Sequence, residues 1–263
     1  MKTTIYSLKQ MKSAKKKIAM LTSYDCPTAK LIDESGIDVV LVGDSVGNAV
    51  LGYENTIPVT MDEMLHHVKA AARGVKNAMV VADMPFMSFQ LGPKEAFYNA
   101  SRFVKEAGAN AVKIEGVAYI DTIKKLIDAG IPVMGHLGFT PQLINQLGGY
   151  RVQGKTSKTA LAMIKDAKLL EKAGVFAIVL EMVPAALAKK IAKAVSIPVI
   201  GIGAGKDCDG QVLVINDLLG LSVSGMPKFA KKYADLHGEM KKAVSAYISD
   251  VRRGRFPGSE HSF

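Results

Sequence analysis

Short apolar runs alternate with amphipathic stretches along most of the chain. The clearest run is Val39–Val42, four residues of which three are valine, too few for a helix and rich in β-branched side chains. Runs of this kind, bounded by polar residues and glycine, are typical of strands buried on both faces. Such strands occur in parallel sheets that helices cover on both sides. The pattern therefore predicts parallel strands separated by helices.

Further apolar runs recur at intervals that leave room for one helix between each pair. Strands are predicted at residues 18–24, 39–42, 78–82, 111–114, 132–135, 176–180 and 198–202. A last run, at 211–217, is compatible with a strand because it is rich in β-branched residues. It is equally compatible with a helix, because Asp209 suits an N-cap and Gly220 suits the position after a C-cap.

The segments between these runs have helical periodicity and recognisable caps. Helices are predicted at residues 3–17, 27–35, 60–74, 93–107, 119–129, 159–173, 184–195 and 228–251. Thr60 and Glu63 form a capping-box signature at the start of one of them. Asp25 precedes another and is interpreted as a cap residue. Two long loops, 46–58 and 137–158, are expected to be functional, as long loops in compact domains tend to be.

The repeated order of strand and helix predicts the fold class. Seven or eight such units follow one another without a change of composition, and no segment resembles a linker. We predict an α/β protein whose residues 1–263 form one catalytic domain, a single (β/α)₈ TIM-type barrel with an extra N-terminal helix and a helical C-terminal tail. An open, doubly wound sheet is the alternative, because periodicity does not distinguish a closed sheet from an open one.

Composition narrows the protein class. Hydrophobic residues make up 49% and charged residues 22% of the chain, as in ordered globular proteins. The apolar runs are shorter than a membrane span, and the basic N-terminus lacks an apolar signal-peptide region, so we expect a soluble, cytoplasmic protein without membrane partners. Cys26 and Cys208 are too few for a disulfide framework and lack metal-ligand spacing, so free thiols are expected.

The net charge of +10 suggests nucleic-acid binding as one interpretation. Against it, the chain has no Trp and no recognisable nucleic-acid-binding motif. The lysines are spread over several predicted helices, with clusters at 15–17 and 228–232. Solvated helix faces account for this distribution better, and steering of an anionic substrate is a further alternative. We therefore expect no nucleic-acid partner.

Chemically useful side chains follow almost every predicted strand. A barrel would bring them to one rim, at the carboxyl ends of its strands: Asp44 and Ser45, Asp83, Lys113 and Glu115, His136, and Glu181. Several carboxylates in one mouth repel one another unless a cation lies among them or some stay protonated. Oxygen ligands without soft donors favour Mg²⁺, for which two carboxylates suffice.

Each of these residues also has a purely structural interpretation. A single Asp after a strand is more often a turn or cap residue, and His136 alone could be an ordinary buried histidine. Lys113 within a strand is harder to explain in this way, because a buried lysine requires an anionic partner from the protein or the substrate. The glycines of 201–205 suit either a phosphate cradle or close backbone packing.

A set of ordered motifs then identifies a family resemblance over essentially the whole chain. The motifs are Gly43-Asp44-Ser45, Ala82-Asp83-Met84-Pro85-Phe86, Val112-Lys113-Ile114-Glu115-Gly116, Gly135-His136-Leu137-Gly138, Pro141-Gln142, Gly148-Gly149-Tyr150, Leu180-Glu181, Ile200 to Gly205, Asp209-Gly210-Gln211 and Phe256-Pro257-Gly258 with Glu260 to Phe263. The sequence resembles the ketopantoate hydroxymethyltransferase (3-methyl-2-oxobutanoate hydroxymethyltransferase) family.

The resemblance implies a reaction and its cofactors. A Mg²⁺-dependent barrel enzyme would transfer a one-carbon unit from methylenetetrahydrofolate to 3-methyl-2-oxobutanoate, giving ketopantoate in pantothenate biosynthesis. It also implies a homodecamer built from pentameric rings. General chemistry agrees, because polarisation of the 2-oxo group by Mg²⁺ makes the neighbouring C–H more acidic and stabilises the enolate.

The resemblance also implies a role for each motif residue. Glu181 would be the catalytic proton acceptor. The metal ligands would be Asp44, Asp83 and Glu115, the last directly or through water. Ser45 and Lys113 would hold the 2-oxo acid. Asp44, Asp83 and His136 are also predicted to bind the substrate, and the reaction chemistry suggests that His136 donates to an oxyanion or orients a neighbour. Two other classes stay open: a Mg²⁺-dependent lyase or mutase that acts on a 2-oxo acid without folate, and a basic RNA-binding protein.

Overall fold

The protein contains a closed parallel barrel of eight strands. The computed structural model describes residues 2–222 and 225–263. The strands pair in chain order, and β8 closes the barrel by pairing with β1. Their bounds are β1 Ile18–Thr22, β2 Val39–Val42, β3 Met79–Asp83, β4 Ala111–Glu115, β5 Val133–Gly138, β6 Ala177–Glu181, β7 Val199–Ile202 and β8 Gly210–Leu213. Closure confirms the predicted barrel and excludes the open sheet.

Helices follow the strands in the predicted alternating order. Their bounds are α1 Ile5–Ser13, α2 Cys26–Glu34, α3 Met61–Gly74, α4 Pro93–Lys105, α5 Ile120–Asp128, α6 Ile144–Leu147, α7 Ser157–Ala173, α8 Ala185–Ala194, α9 Ile215–Leu219 and α10 Leu236–Arg252. The capping box of Thr60 and Glu63 is present, with both reciprocal hydrogen bonds formed. Asp25 caps α2 by accepting from the Thr28 backbone N–H at 2.8 Å, as predicted.

Burial explains why these runs become strands. Every residue of β2, β3 and β4 is buried, because one face of each strand points into the barrel and the other packs under the helices. The ambiguous last run resolves into both structures: β8 occupies its first part and the short helix α9 its second. Asp209 is not a helix N-cap. Its carboxylate accepts a hydrogen bond from the Val199 backbone N–H and forms an ion pair with Lys12 at 2.8 Å.

Three predicted boundaries differ from the structure by three residues or more, and others differ by one or two, such as the end of β1 at Thr22 rather than residue 24. The first helix ends at Ser13 rather than residue 17, because Lys15 adopts a positive φ of 56° and Lys16 N–H donates back to the Met11 carbonyl, closing the helix. The long C-terminal helix begins at Leu236 rather than residue 228, since the backbone N–H groups of Tyr233 and Ala234 donate to Leu218 instead.

The third wrong boundary concerns the fifth strand. It continues through His136 to Gly138, because its pairing with β6 extends to the partners Gly138 and Glu181.

The two long loops also contain short helical turns. Gly47–Leu51 forms a π-helix, and Pro141–Leu143 forms a 3₁₀ helix.

Residues of the chain group into two compact units, Met1–Val214 with the barrel and Ile215–Phe263 with α9 and α10. The expectation that 1–263 forms one catalytic domain stays a prediction. Within 2–222 and 225–263, no helix combines the length and the apolar character needed to cross a bilayer.

Candidate active site

The carboxyl ends of β2 to β6 bring the predicted site residues together. Strand register places two pairs of them side by side: Asp83 on β3 is the partner of Lys113 on β4, and Glu115 on β4 is the partner of His136 on β5. Lys113 and Glu115 are two residues apart, so both side chains lie on the same face of β4. The barrel thus gathers acidic and basic groups from neighbouring strands.

Lys113 has its anionic partner within the protein. Its Nζ lies 2.8 Å from Asp83 Oδ1, and the two side chains are only 4% and 2% exposed. Burial alone would lower the pKa of Lys113, but the carboxylates of Asp83, Glu115 and Asp44 outweigh it and raise that pKa. Lys113 is therefore a charged lysine inside the barrel, surrounded by acids.

Asp44 lies against the same cluster from the end of β2. Its backbone N–H donates to Asp83 Oδ2 at 3.1 Å. Burial, followed by the negative charges of Asp83 and Glu115, raises the pKa of Asp44 well above its ordinary value. The three acids and Lys113 would carry two net negative charges if all were ionised. This imbalance is the electrostatic condition under which a buried acidic cluster takes up a cation or a proton.

His136 connects the acidic cluster to Glu181. Its Nδ1 lies 3.2 Å from Glu115 Oε1 and 3.3 Å from Lys113 Nζ, and its Nε2 lies 3.3 Å from Glu181 Oε2. Burial and the Lys113 charge lower the pKa of His136, but its contacts with the two glutamates raise it, and the net shift is upward. Glu181, at the end of β6, is the most accessible member, with a side chain 17% exposed.

Ser45 lies beside this cluster and contacts a residue that sequence reasoning missed. Its hydroxyl and the Tyr24 hydroxyl are 2.8 Å apart. Tyr24 follows β1 and is buried, and its carbonyl accepts a hydrogen bond from His67 Nδ1 at 2.7 Å. In the sequence, Tyr24 is the last residue of the predicted first strand, next to the cap residue Asp25, and that position was the available signal.

Gln142, in the loop 137–158, is the second missed residue, and it forms hydrogen bonds with two of the acids. Its Nε2 donates to Asp44 Oδ2 and to the Met84 carbonyl, both at 2.9 Å. Its backbone N–H donates to Glu115 Oε2 at 3.1 Å. The Pro-Gln motif contained this residue, but an uncharged amide in a loop does not by itself indicate a contact with carboxylates.

Tyr150, from the same loop, has a pKa that the charges of the site affect. Burial, followed by the charges of Glu181 and Asp44, raises the pKa of Tyr150. Its ring packs on Phe139 with centroids 5.0 Å apart. The long loop after β5 therefore contributes to the rim in two places.

The acidic cluster fits a hard divalent cation in its donor chemistry. Asp83 Oδ1 and Glu115 Oε1 are buried without an aligned hydrogen bond, although each lies near a basic nitrogen. Across the described ranges, no three Asp, Glu, His or Cys side chains converge closely enough to hold a metal ion by themselves. Mg²⁺ commonly uses one or two carboxylates, with water and substrate oxygens filling the other positions. The arrangement suits that mode of binding.

The other candidate groups have structural explanations. A Cβ on Gly201 would lie 2.9 Å from Cys208 Sγ, and one on Gly205 would lie 2.5 Å from the Ala185 Cβ, so close packing accounts for both glycines. Cys26 and Cys208 are free, as predicted. Burial raises the pKa of the Cys208 thiol to about 11, which makes it unreactive.

Comparison with known proteins gives matches over the full length. Residues 2–259 match the family profile described as ketopantoate hydroxymethyltransferase. A 3-methyl-2-oxobutanoate hydroxymethyltransferase of Dehalococcoides mccartyi is 58% identical over all of this chain and 94% of the relative. One from Carboxydothermus hydrogenoformans is also 58% identical, over all of this chain and 95% of the relative.

Solved structures with the same fold have much lower sequence identity. Phosphonopyruvate hydrolase, in a complex with oxalate and Mg²⁺, superposes with a TM-score of 0.62 at 13% identity, covering 98% of this chain and 93% of the other. A 2,3-dimethylmalate lyase superposes with a TM-score of 0.59 at 16% identity, covering 98% and 90%. At these identities the similarity shows the barrel fold alone.

Proposed function

This chain belongs to the ketopantoate hydroxymethyltransferase family, and from that premise we propose how its buried cluster serves the reaction. It is an enzyme of the transferase class. We propose 3-methyl-2-oxobutanoate as the acceptor and methylenetetrahydrofolate as the donor, with ketopantoate as the product. One observation carries the proposal: Glu181 contacts His136 at 3.3 Å beside a buried group of three acids and one lysine.

The acids and Lys113 suit the binding of a 2-oxo acid and its cation. Asp44, Asp83 and Glu115 would hold Mg²⁺, with Glu115 acting directly or through water. When bound, this ion supplies Lewis-acid polarisation of the 2-oxo group, worth several kcal/mol in enzymes that use it. Lys113 offsets the carboxylate charge of the substrate, which would otherwise be buried unpaired. Ser45, held by the Tyr24 hydroxyl at 2.8 Å, orients the same substrate.

Glu181 is the group best placed to take a proton from C3 of the substrate. It lies at the rim with a partly exposed side chain, so a substrate can reach it. The contact with His136 Nε2 orients its Oε2 and provides a positive neighbour when the imidazole is protonated. The proton passes from C3 to Glu181, and the electron pair left on C3 forms the bond to the methylene carbon of the donor. One C–N bond of the donor breaks as this bond forms, and water then replaces the second nitrogen and supplies the hydroxyl of the product. Tetrahydrofolate leaves with both nitrogens protonated, one proton coming from C3 by way of Glu181 and the other from the water.

Omission of single components tests this function. Purified protein, 3-methyl-2-oxobutanoate, methylenetetrahydrofolate and Mg²⁺ should give ketopantoate, measured by mass spectrometry. Removal of the donor should abolish product formation but leave exchange of the C3 proton in D₂O. Consumption of the 2-oxo acid without any folate would instead support a lyase or mutase and overturn the proposal.

We also propose a homo-oligomer, a decamer by family resemblance, that works in the cytoplasm. Support for oligomerisation comes from α10, none of whose residues is buried. One side of this helix carries Met240, Val244, Tyr247, Ile248 and Val251, which are all exposed and recur at helical spacing. An apolar stripe of this size on an isolated chain is typical of a surface that a second protein covers.

A further inference from the structure

Gln142 links three strand ends that the reaction uses. It belongs to the 3₁₀ helix after β5, yet its hydrogen bonds reach Asp44 after β2, Met84 after β3 and Glu115 at the end of β4. Its side chain is 2% exposed. None of the roles proposed for the acids, Lys113, His136 or Glu181 requires an amide to be buried among carboxylates, so these contacts need their own explanation.

The orientation of the Gln142 amide follows from its partners. The Met84 carbonyl can only accept a hydrogen bond, so the amide nitrogen must face it. The same nitrogen then directs its second hydrogen at Asp44 Oδ2. The amide oxygen lies on the other side, 3.4 Å from Gln90 Nε2, which can donate to it. The two hydrogens and the oxygen of the amide are therefore all used.

The hydrogen bonds divide each carboxylate into an occupied oxygen and a remaining one. Gln142 occupies Asp44 Oδ2 through its side chain and Glu115 Oε2 through its backbone. Asp83 Oδ2 is occupied by the Asp44 backbone N–H. The remaining Glu115 Oε1 and Asp83 Oδ1 are among the buried side-chain atoms without an aligned hydrogen bond, and they lie near His136 Nδ1 and Lys113 Nζ respectively.

We propose that Gln142 is a positioning residue for the divalent cation. By engaging one oxygen of Asp44 and one of Glu115, it turns the other oxygen of each toward a shared ion, without itself being a ligand. This inference rests on the proposed function, because it requires that the cluster binds a cation. Neighbours that orient ligands in this way typically contribute 10–100-fold, in order of magnitude, to metal affinity.

Metal binding in the absence of substrates tests the inference. The probe is Mn²⁺, titrated into metal-free protein by calorimetry, with circular dichroism to verify folding. Gln142→Met keeps the side-chain length and the backbone N–H but removes the amide donors. We expect its Mn²⁺ affinity to fall by about 10–100-fold. Gln146→Met is the matched control, because Gln146 is exposed on the same loop, and it should bind Mn²⁺ as the parent does.

The outcomes separate the alternatives. A folded Gln142→Met with parental Mn²⁺ affinity would overturn the inference and leave Gln142 with a structural role, which would lower the melting temperature equally with and without Mn²⁺. If Gln142→Met does not fold, Gln142→Asn decides in the same way, since it keeps a polar amide but is one carbon too short to reach Asp44. Absence of Mn²⁺ binding by the parent protein would contradict the proposed function instead.

Discussion

Lys113 Nζ lies 2.8 Å from Asp83 Oδ1 inside the barrel, where the two side chains are almost completely buried. The pair links neighbouring strands, and Lys113 is also the main compensating charge for Asp44 and Glu115. Such a pair is costly to break, because removal of one member leaves the other as an uncompensated buried charge.

Lys113→Met should therefore destabilise the metal-free protein strongly. We expect the free energy of unfolding in urea to fall by about 3–5 kcal/mol. Asp83→Asn added to Lys113→Met should recover part of this loss, because it removes the charge left unpaired. Lys30→Met is the control: its pair with Glu34 is 3.9 Å long and mostly exposed, so a change within about 0.5 kcal/mol is expected. Equal losses in the two single variants would contradict the burial argument.

Glu181→Gln should abolish exchange of the substrate C3 proton and leave Mg²⁺ binding nearly intact. The amide keeps the shape of the side chain but is no base, so exchange in D₂O, followed by NMR, should slow by about 10²–10⁴-fold. Glu34→Gln, a surface substitution of the same type on α2, should exchange at the parental rate. Exchange at the normal rate in Glu181→Gln would show that another group takes the proton.

Mg²⁺ should stabilise the folded protein through the acidic cluster. At about 100 times its Kd, a ligand that binds only the folded state adds about 2.7 kcal/mol, which thermal melting detects. Asp83→Asn should lose this increase. Asp25→Asn should keep it, because Asp25 caps α2 and lies outside the proposed site, and Asn is an equally good cap. An equal Mg²⁺ effect in the two variants would place the ion elsewhere.

Asp33 should make stability depend on acid pH. Burial alone would raise the pKa of Asp33, but hydrogen bonds from the backbone N–H groups of Ala78, Lys76 and Asn77 bring that pKa below 3.8. A lowered pKa in the folded state means that the stabilisation is present above 3.8 and is lost as the pH falls through the folded value. Asp33→Asn should cost about 1.5–3 kcal/mol near neutral pH and progressively less in acid.

Asp166 is the control, because its pKa is shifted in the direction opposite to that of Asp33. Burial raises the pKa of Asp166 above 3.8, so its ionised form is less favourable in the folded protein than in the unfolded chain. Asp166→Asn should therefore not destabilise near neutral pH. Urea unfolding of the parent and of each variant at several pH values measures the two effects, and a loss for Asp33→Asn that does not vary with pH would contradict the charge argument.

The apolar stripe of α10 should control assembly. Val244→Asp places a charge in the middle of the stripe and should reduce the mass measured by light scattering from the proposed ten chains to a smaller species. Lys242→Asp alters the charge of the same helix at an exposed residue on the side opposite the stripe and should leave the mass unchanged. A parental mass for Val244→Asp would exclude this face from the interface.

Local patterns in the sequence were sufficient for the elements and for most of the candidate site. The four apolar residues of β2 predicted a strand buried on both faces because side-chain period and run length are local properties. Asp25 and the Thr60–Glu63 pair were recognised as caps for the same reason, since a cap bonds within one helical turn. Side chains at strand ends could be assigned to one rim once the barrel was assumed.

Tertiary structure alone decided the contacts between distant segments. Pairing of Ile18 with Gly210 closes the barrel, and nothing in either strand specifies it locally. The sequence did not specify the anionic partner of Lys113, and the strand register places Asp83 beside it. Gln142 forms a hydrogen bond with Asp44 although 98 positions separate the two residues in the chain. Periodicity and capping act over a few residues, whereas the path of a long loop depends on the whole packed barrel. The order of residues in the sequence thus determined which side chains lie at the rim of the barrel. Tertiary packing determined which of those side chains are in contact.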